Sequence, residues 1–409
     1  MKTYFFWGKI HKCFILSYFC NRGGMMKKIV MVCISIVLIL SSDFVKADTD
    51  LAPNAKSAIL IEASTGKIIF EKNSHEKLAP ASMTKMMSML IIVESVEKGI
   101  IGWDDMVTAS ENASKMGGSQ ILLETGEQMS VSDLFKGVAV ASGNDAVIAL
   151  AEAVAGTEEE FVSMMNARAK ELGLTDTIFK NPHGLDDANH YSSAHDMMLI
   201  AKELVKHEKV LEYTSIYEDY LRKGTPKELW LVNTNKLTRF YPGVDGLKTG
   251  FTDTAGYCLT ATAKKNGMRL IAVVMGEADS KVRNAEVTSM LDYGFAQYKV
   301  NELLNKDTII SKVEIEKGKS KQVELVPLRE AIIVTKKTET IGKITYDLHL
   351  NSVKAPIQIG DKVGTLDILE NDNKIGQVDV TVKENVKKAS FADLFLRYFG
   401  DMLSGAIQF

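Results

Sequence analysis

The feature that most constrains the fold is a long apolar run that begins just after Pro80. From Ser82 to Lys98 the sequence reads SMTKMMSMLIIVESVEK, and its apolar residues cover most sides of the helix that this pattern predicts. A surface helix carries one apolar stripe, whereas a helix that is apolar nearly all round has to be enclosed by other elements. The chain therefore has to build a domain around this segment.

Strand patterns lie on both sides of a helical middle. Ser57–Lys72 contains two apolar runs around a short polar turn, which is typical of a β-hairpin. Helical periodicity continues to about His207, strands return after Tyr241, and a helix ends near Tyr298. This order predicts one α+β domain over residues 48–298, with a mostly antiparallel sheet and a helical subdomain.

Two further segments follow. Residues 299–388 hold short β-rich runs between Lys, Gly and Asn turns, which predicts a small all-β domain. Residues 389–409 predict an amphipathic helix with an aromatic face. That face is too large for a small β-domain to bury, so we expect the helix to lie on a membrane surface. Asp393, Arg397 and Asp401 argue against a spanning helix, and packing on the protein itself is the alternative.

The first 47 residues have the features of a leader. Lys27 and Lys28 precede a twelve-residue apolar core, Ile29–Leu40, and the segment ends in Val-Lys-Ala, which is typical of a secretory signal peptide. Residues 1–24 precede a signal that is already complete, so we expect the true start to be Met25 or Met26. An unusually long basic region is the alternative.

Net charge and cysteine content limit which partners and which disulfide bonds the protein can have. Residues 1–47 hold seven of the 49 Lys and Arg and one of the 52 Asp and Glu, so the remainder has a net charge of −9. Such a surface argues against a nucleic-acid partner. Cys258 is the only cysteine after the leader, so no internal disulfide is expected.

Ser-x-x-Lys occurs four times in the first hundred residues, and context separates the four. Ser64 lies in a hairpin turn, Ser74 in a polar loop and Ser95 near the end of the apolar helix. Ser82 lies at the helix start, where Lys85 shares its face and the helix dipole favours negative charge. A lysine in such apolar surroundings has a lowered pKa and can act as a base. The alternative is that Ser82 is an ordinary N-cap and Lys85 a surface residue.

Two later triplets favour the interpretation of Ser82 and Lys85 as a nucleophile and its base. Ser142-Gly143-Asn144 precedes another apolar helix, and Lys248-Thr249-Gly250 lies at a predicted strand end. Ser-x-x-Lys, Ser-x-Asn and Lys-Thr-Gly, in this order, resemble the signature of penicillin-binding proteins and serine β-lactamases.

The resemblance is closest to the D-alanyl-D-alanine carboxypeptidases, which are low-molecular-weight penicillin-binding proteins. It extends over roughly residues 55–297 and includes MGGSQILLETGE, VASGNDAVIALAE, FKNPHGLDDANHYSSAHDM, DGLKTGFTDTAGYCL and RNAEVTSMLDYGF. It implies a β-lactamase/transpeptidase-like fold, and the β-rich domain and terminal helix match the usual layout of the family less specifically.

The resemblance also implies a role for each motif residue. Ser82 is the nucleophile, Lys85 the base, and Ser142 the carrier of the proton to the leaving amine. The backbone N–H groups of Ser82 and Phe251 form the oxyanion hole. The groups that bind substrate are Lys248, Thr249, Gly250, Asn144 and Arg283. No metal and no cofactor are expected.

The family assignment leaves two rival functions. A serine β-lactamase has the same fold, but the loop NPHGLDDANHYS lacks the deacylating glutamate and the chain carries an extra β-domain. A degenerate wall-peptide-binding protein is the second rival, which the complete set of catalytic side chains opposes. Phe251 departs from members that carry His after Lys-Thr-Gly. His183, His190 and His195 have irregular spacing, so we interpret them as loop and helix-cap residues rather than metal ligands.

The expected substrate is the peptidoglycan stem peptide, which would lose its terminal D-alanine and with it the capacity for cross-linking. β-Lactams are expected to acylate Ser82. The expected location is outside the cytoplasm, attached peripherally to the outer face of the cytoplasmic membrane.

Overall fold

The computed structural model describes residues 50–351 and 353–403. The predicted leader, residues 1–47, and residues 404–409 of the predicted terminal helix lie outside this part. The larger portion of the described chain folds around one five-stranded sheet and a group of helices. Its strands are β1 (Ser57–Glu62), β2 (Ile68–Lys72), β3 (Met106–Thr108), β4 (Gln128–Ser130), β5 (Glu218–Leu221), β6 (Leu229–Val232), β7 (Val244–Thr252), β8 (Gly256–Lys265) and β9 (Met268–Glu277).

The helices of this portion lie mostly between β2 and β5. They are α1 (Lys85–Glu97), α2 (Glu111–Ser114), α3 (Val131–Ala141), α4 (Asn144–Ala155), α5 (Glu158–Glu171), α6 (Ala194–Leu204), α7 (Glu208–Thr214), α8 (Leu237–Phe240) and α9 (Ser280–Gln297). A 3₁₀ turn, Ala81–Thr84, leads directly into α1. Every residue of α1 from Lys85 to Val93 is buried, so this helix is enclosed as its composition predicts.

The strand order of the main sheet is β2-β1-β9-β8-β7, and all its pairings are antiparallel. Strand β1 pairs with β9, so the strands from the two ends of the domain meet in the middle of the sheet. Alternate residues of β9 belong to two cores: Ile271 and Val273 face the core of α1, whereas Ala272 and Val274 face the core of α9. Strand β7 is an edge strand, so one of its sides pairs with no other strand of the sheet.

The C-terminal portion is built from β-strands. They are β10 (Tyr298–Leu304), β11 (Ser311–Glu314), β12 (Gln322–Pro327), β13 (Ala331–Lys336), β14 (Ile344–Leu350), β15 (Gly364–Glu370) and β16 (Asn373–Val382). Five of them form a sheet in the order β11-β12-β16-β15-β14, and β10 pairs with β13. The predicted fold class, an α+β domain followed by an all-β domain, is confirmed.

The last described element is α10 (Phe391–Leu403). Arg397 ties it to the β-domain by donating to the carbonyls of Gly318 and Lys319, both at 2.8 Å. Phe391, Phe395 and Phe399 remain exposed on the helix. Among residues 50–351 and 353–403, no helix is long and apolar enough to cross a membrane.

The structure corrects some local details. Lys248-Thr249-Gly250 lies inside β7 rather than at its end. Ser82 lies in the 3₁₀ turn, and the α-helix proper begins at Lys85. The two-stranded sheet β3–β4 and the hairpin β5–β6 were not predicted, because strands of three or four residues are too short to show a clear alternation.

Glu277, at the end of β9, is a buried carboxyl group that should make stability depend on pH. Its side chain is 1% exposed, and neither oxygen has a hydrogen-bond partner in the described part of the chain. Burial, followed by the neighbouring Glu286 carboxylate, raises the pKa of Glu277 to about 8. Near pH 4 both the folded and the unfolded chain hold this proton. As pH rises towards 8 only the unfolded chain loses it, so the folded state is progressively destabilised.

We therefore expect Glu277→Gln to raise the melting temperature at pH 8.5 by about 3 °C or more and to change it little at pH 4.5. Thermal denaturation across this range measures the difference. Glu76→Gln, at an exposed position, is the matched control and should show no such trend. A stabilisation that is equal at both pH values would contradict the prediction.

Candidate active site

Ser82 and Lys85 meet at the start of the central helix. They are three residues apart, which places both on one face of the turn. The Lys85 Nζ lies 3.0 Å from the Ser82 Oγ. The same amine donates to the Asn144 Oδ1 at 2.6 Å and to the His183 carbonyl at 2.7 Å. Lys85 has no exposed surface, so the alternative of a surface lysine is wrong.

Burial changes the acid–base properties of both lysines in this region. Burial, followed by the positive charge of Lys248, holds the pKa of Lys85 well below its ordinary value, with Asp145 acting in the opposite direction. Burial, followed by the nearby Arg283 guanidinium, lowers the pKa of Lys248 to about 7. The neutral form is therefore favoured for Lys85 relative to an exposed lysine, and Lys248 can lose its proton near neutral pH.

The Ser142-Gly143-Asn144 loop joins α3 to α4. Ser142 ends α3 with left-handed backbone angles, φ 63° and ψ 30°. This sharp reversal lets Asn144 begin α4 and reach Lys85, while the Asn144 Nδ2 donates to the Gly117 carbonyl at 2.7 Å. The Ser142 hydroxyl forms no hydrogen bond with any residue that the structure describes, so it is available to a ligand.

Strand β7 forms the other wall of the site. Lys248 is 1% exposed, and its Nζ lies 3.1 Å from the Thr249 carbonyl. A Cβ on Gly250 would lie 2.7 Å from the Pro80 carbonyl and 3.1 Å from the Ala81 Cβ. Only glycine therefore allows this strand to approach the turn that carries Ser82 so closely.

The loop after α5 closes the third side. Gly184 has a φ of +88°, and a Cβ there would lie 1.9 Å from the Ala81 carbonyl. Asn181 holds the loop in this position, because its Oδ1 accepts from the Gly184 N–H at 2.6 Å. This close packing brings the His183 carbonyl to Lys85.

Phe251 lies in β7 directly after Gly250, and Arg283 lies in α9. The Phe251 ring is 50% exposed and stacks on Tyr257 with centroids 4.3 Å apart. Arg283, on α9, is buried and donates to the Cys258 carbonyl at 3.3 Å and to the Asn284 Oδ1. The guanidinium thus lies against β8, near enough to Lys248 to affect its pKa.

Three contributors to the site were not predicted from the sequence. They are the His183 carbonyl, Asp145 and Thr234. Asp145 accepts from the backbone N–H groups of Ile121 and Leu123, and so anchors the segment beside Asn144. Thr234 accepts a hydrogen bond from the Thr249 hydroxyl at 2.7 Å. No sequence pattern marks a carbonyl contact, and a threonine between two asparagines resembles a turn.

The histidines of the loop have structural contacts. The His183 Nδ1 accepts from the Leu185 N–H, and the His190 Nδ1 accepts from the Lys180 N–H. Burial lowers the pKa of His183 to about 3 and that of His190 to about 4, so both are neutral near neutral pH. In the described ranges, no group of three His, Cys, Asp or Glu side chains is placed to hold a metal ion.

The site contains a buried lysine beside a half-buried serine, and it lies between a Ser-x-Asn loop and an edge strand with Lys-Thr-Gly. This arrangement defines the class of active-site-serine penicillin-recognising proteins. A family profile described as D-alanyl-D-alanine carboxypeptidase matches residues 44–279. A second, described as penicillin-binding protein 5, C-terminal domain, matches residues 298–388. The chain belongs to the D-alanyl-D-alanine carboxypeptidase family.

Curated relatives and solved structures agree with this assignment. D-alanyl-D-alanine carboxypeptidase DacF of Bacillus subtilis (strain 168) is 49% identical over 384 residues, which are 92% of this chain and 99% of that protein. DacC of Escherichia coli (strain K12) is 35% identical, covering 87% of this chain and 90% of that protein. Penicillin-binding protein 5 from Haemophilus influenzae superposes with a TM-score of 0.68 at 33% identity, covering 82% of this chain and 98% of that chain.

A structure in an inhibitor-bound form is also similar. Penicillin-binding protein D2 from Listeria monocytogenes in the ampicillin-bound form has a TM-score of 0.54 at 30% identity, covering 59% of this chain and 98% of that chain. The protein is thus a serine D-alanyl-D-alanine carboxypeptidase, and the predicted family and activity are confirmed. The β-lactamase and the non-catalytic binding protein are not favoured.

Proposed function

We propose that Ser82 attacks the carbonyl between the two terminal D-alanines of a peptidoglycan stem pentapeptide and forms an acyl-enzyme. The observation that carries this proposal is the contact between the buried Lys85 Nζ and the Ser82 Oγ at 3.0 Å. Serine is a weak nucleophile by itself and needs an adjacent base.

The surroundings of Lys85 suit a neutral amine. Such an amine has two N–H groups and one lone pair. The Asn144 Oδ1 and the His183 carbonyl can accept the two N–H groups, which leaves the lone pair for the Ser82 hydroxyl proton. Burial and the charge of Lys248 both favour this neutral form. Lys85 therefore serves as the general base of acylation.

Two backbone N–H groups stabilise the tetrahedral intermediate. They belong to Ser82 and Phe251, and the close approach of β7 at Gly250 supports their convergence. Ser142 carries the proton taken by Lys85 to the leaving D-alanine nitrogen. Its hydroxyl is free for this because no described residue engages it.

The carboxylate of the substrate binds at the Lys248 end of the cleft. Lys248 and the Thr249 hydroxyl contact it, and Arg283 adds positive potential from behind β8. An arriving carboxylate favours the charged form of Lys248, whose pKa is about 7 without it. Asn144 orients the peptide amide together with Lys85, and water finally releases the shortened peptide.

The consequence for the cell wall is a stem peptide that can no longer donate in cross-linking. β-Lactams acylate Ser82 by the same route, because their strained amide resembles the scissile bond. The enzyme acts outside the cytoplasm, after export directed by residues 1–47.

Incubation with a pentapeptide stem and mass analysis of the product test this function. The expected product is the tetrapeptide, with one D-alanine released per peptide. A labelled penicillin should also give a persistent adduct on a denaturing gel. An intact pentapeptide after prolonged incubation would contradict the proposal, and rapid loss of the penicillin label would favour the β-lactamase.

The same proposal includes peripheral attachment to the membrane by the C-terminal helix. Phe391, Phe395, Leu396, Phe399 and Met402 are all about half exposed or more on α10. Their hydration is unfavourable, and the interface of a lipid bilayer can bury such a face while the helix lies in its plane.

Truncation after Lys388 is therefore expected to convert a membrane-sedimenting enzyme into a soluble one, with unchanged turnover of small peptides. Sedimentation of leader-free protein with anionic lipid vesicles measures the difference. Phe395→Asp/Phe399→Asp in the full-length chain is the matched variant and should also release the protein. Continued sedimentation of the truncated form would exclude the helix as the anchor.

A further inference from the structure

The segment Asn233-Thr234-Asn235, between β6 and α8, is held from both sides. The Asn233 Nδ2 donates to the Thr214 carbonyl at 3.0 Å, and the Asn235 Nδ2 donates to the Gly246 carbonyl at 3.1 Å. Each asparagine is 1% exposed. The backbone of Thr234 is thus fixed by its two neighbours, independently of its own side chain.

Thr234 connects the two walls of the active-site cleft. Its backbone N–H donates to the Val140 carbonyl at 3.2 Å, two residues before Ser142. Its hydroxyl accepts from the Thr249 hydroxyl at 2.7 Å. The side chain is partly exposed, unlike those of the flanking asparagines, so it lies at the border between the protein and the cleft.

The two hydroxyls of Thr249 and Thr234 have two protons, and only one of them is donated within the pair. Thr249 donates to Thr234, and the Thr234 proton has no acceptor among the residues that the structure describes. A carboxylate that reaches this pair receives the spare proton's hydrogen bond, either directly or after both hydroxyls rotate. A chain of two hydroxyls also donates more strongly than one, because each bond polarises the next.

We propose that Thr234 is a positioning residue for the terminal carboxylate of the substrate, acting as one member of the hydroxyl pair that it forms with Thr249. When Thr234 accepts from Thr249, its own proton can point at the carboxylate; when it donates to Thr249, the Thr249 proton can do so. In both cases one hydroxyl of the pair donates to the carboxylate, which sets the preference for peptides that end in a free carboxylate. This inference rests on the proposed function, since it concerns the same substrate.

The test compares two peptides that both end in D-Ala-D-Ala, one with a free carboxylate and one with a C-terminal amide. For Thr234→Val, kcat/KM for the carboxylate peptide should fall about tenfold, with a much smaller change for the amide peptide. Valine is similar in size and keeps the backbone N–H that binds Val140. Thr234→Ser retains the hydroxyl and should restore the ratio of the two kcat/KM values to nearly that of the wild type.

Thr238→Val is the matched control. Thr238 lies in the same segment, but its hydroxyl donates to the Asn235 carbonyl and faces no cleft residue, so the ratio should not change. If Thr234→Val does not fold, as judged by thermal denaturation, Thr234→Ala takes its place in the comparison with Thr234→Ser.

Three results would overturn the inference. An equal loss with both peptides would make Thr234 a purely structural residue, and a kcat/KM within twofold of the wild type for both peptides would remove any role. Failure of Thr234→Ser to restore the ratio would exclude the hydroxyl. A wild-type enzyme that releases no D-alanine overturns the proposed function as well, whereas the other outcomes leave that function intact.

Discussion

Replacing Ser82 with alanine is expected to abolish both D-alanine release and penicillin labelling while the protein remains folded. No acyl-enzyme can form without the Ser82 hydroxyl, so turnover should fall by at least about 10⁴-fold. The folded state should persist because, within the described part of the chain, the Ser82 hydroxyl makes a single hydrogen bond, with Lys85. Product analysis by mass spectrometry, a labelled-penicillin gel and thermal denaturation measure the three properties.

The other Ser-x-x-Lys serines provide the controls. Ser64 binds Glu62 in the hairpin turn, Ser74 binds Glu71, and Ser95 donates to the Ile91 carbonyl within α1. None of these contacts involves the cleft. Alanine at each position should leave labelling intact. Loss of labelling in one of them, together with retention in Ser82→Ala, would show that the nucleophile has been assigned wrongly.

Exchanging each active-site lysine for arginine is expected to give opposite results. Lys85→Arg should stop acylation, because a guanidinium does not lose its proton in the working range and cannot act as a base. Lys248→Arg keeps a positive charge for the carboxylate and should retain measurable turnover. The rate of penicillin acylation measures both variants under the same conditions.

The two positions are well matched as a comparison. Both lysines are buried, and burial is the main cause of the lowered pKa of each. Arginine therefore has to be accommodated in a buried site at both positions. Differences in folding are controlled by thermal denaturation. Equal loss of acylation in the two variants would remove the assignment of Lys85 as the base.

The pH dependence of acylation should reflect Lys85. Because burial lowers the pKa of Lys85, its neutral, basic form is present at a lower pH than for an exposed lysine, so acylation should extend to a lower pH than an exposed lysine would allow.

Much of the fold could be predicted because it depends on local patterns. The long apolar run from Ser82 required an enclosed helix, and the alternating strands at both ends of the domain required a sheet. The hairpin β5–β6 was missed because its strands have only four residues each. The hairpin is relevant to the role proposed for Thr234, because Thr234 lies two residues after the end of β6.

The candidate site divides in the same way. The spacing of Ser82 and Lys85 indicates their contact, because residues three apart share a face of any helical turn. The order of the three motifs indicated the chemistry but could not give their separation in space. The geometry depends on close backbone contacts, such as those at Gly250 and Gly184, which form only when distant segments pack together.

Local patterns along the chain were enough to predict the class of fold and the candidate nucleophile and base, and the resemblance of the three motifs predicted the family. The surroundings of those groups depend on how distant segments pack. The His183 carbonyl is 98 residues from Lys85, and Thr234 is 15 residues from the Thr249 hydroxyl it accepts from. The burial that lowers the lysine pKa values likewise depends on the whole packed domain, because desolvation is a property of the surroundings rather than of the residue.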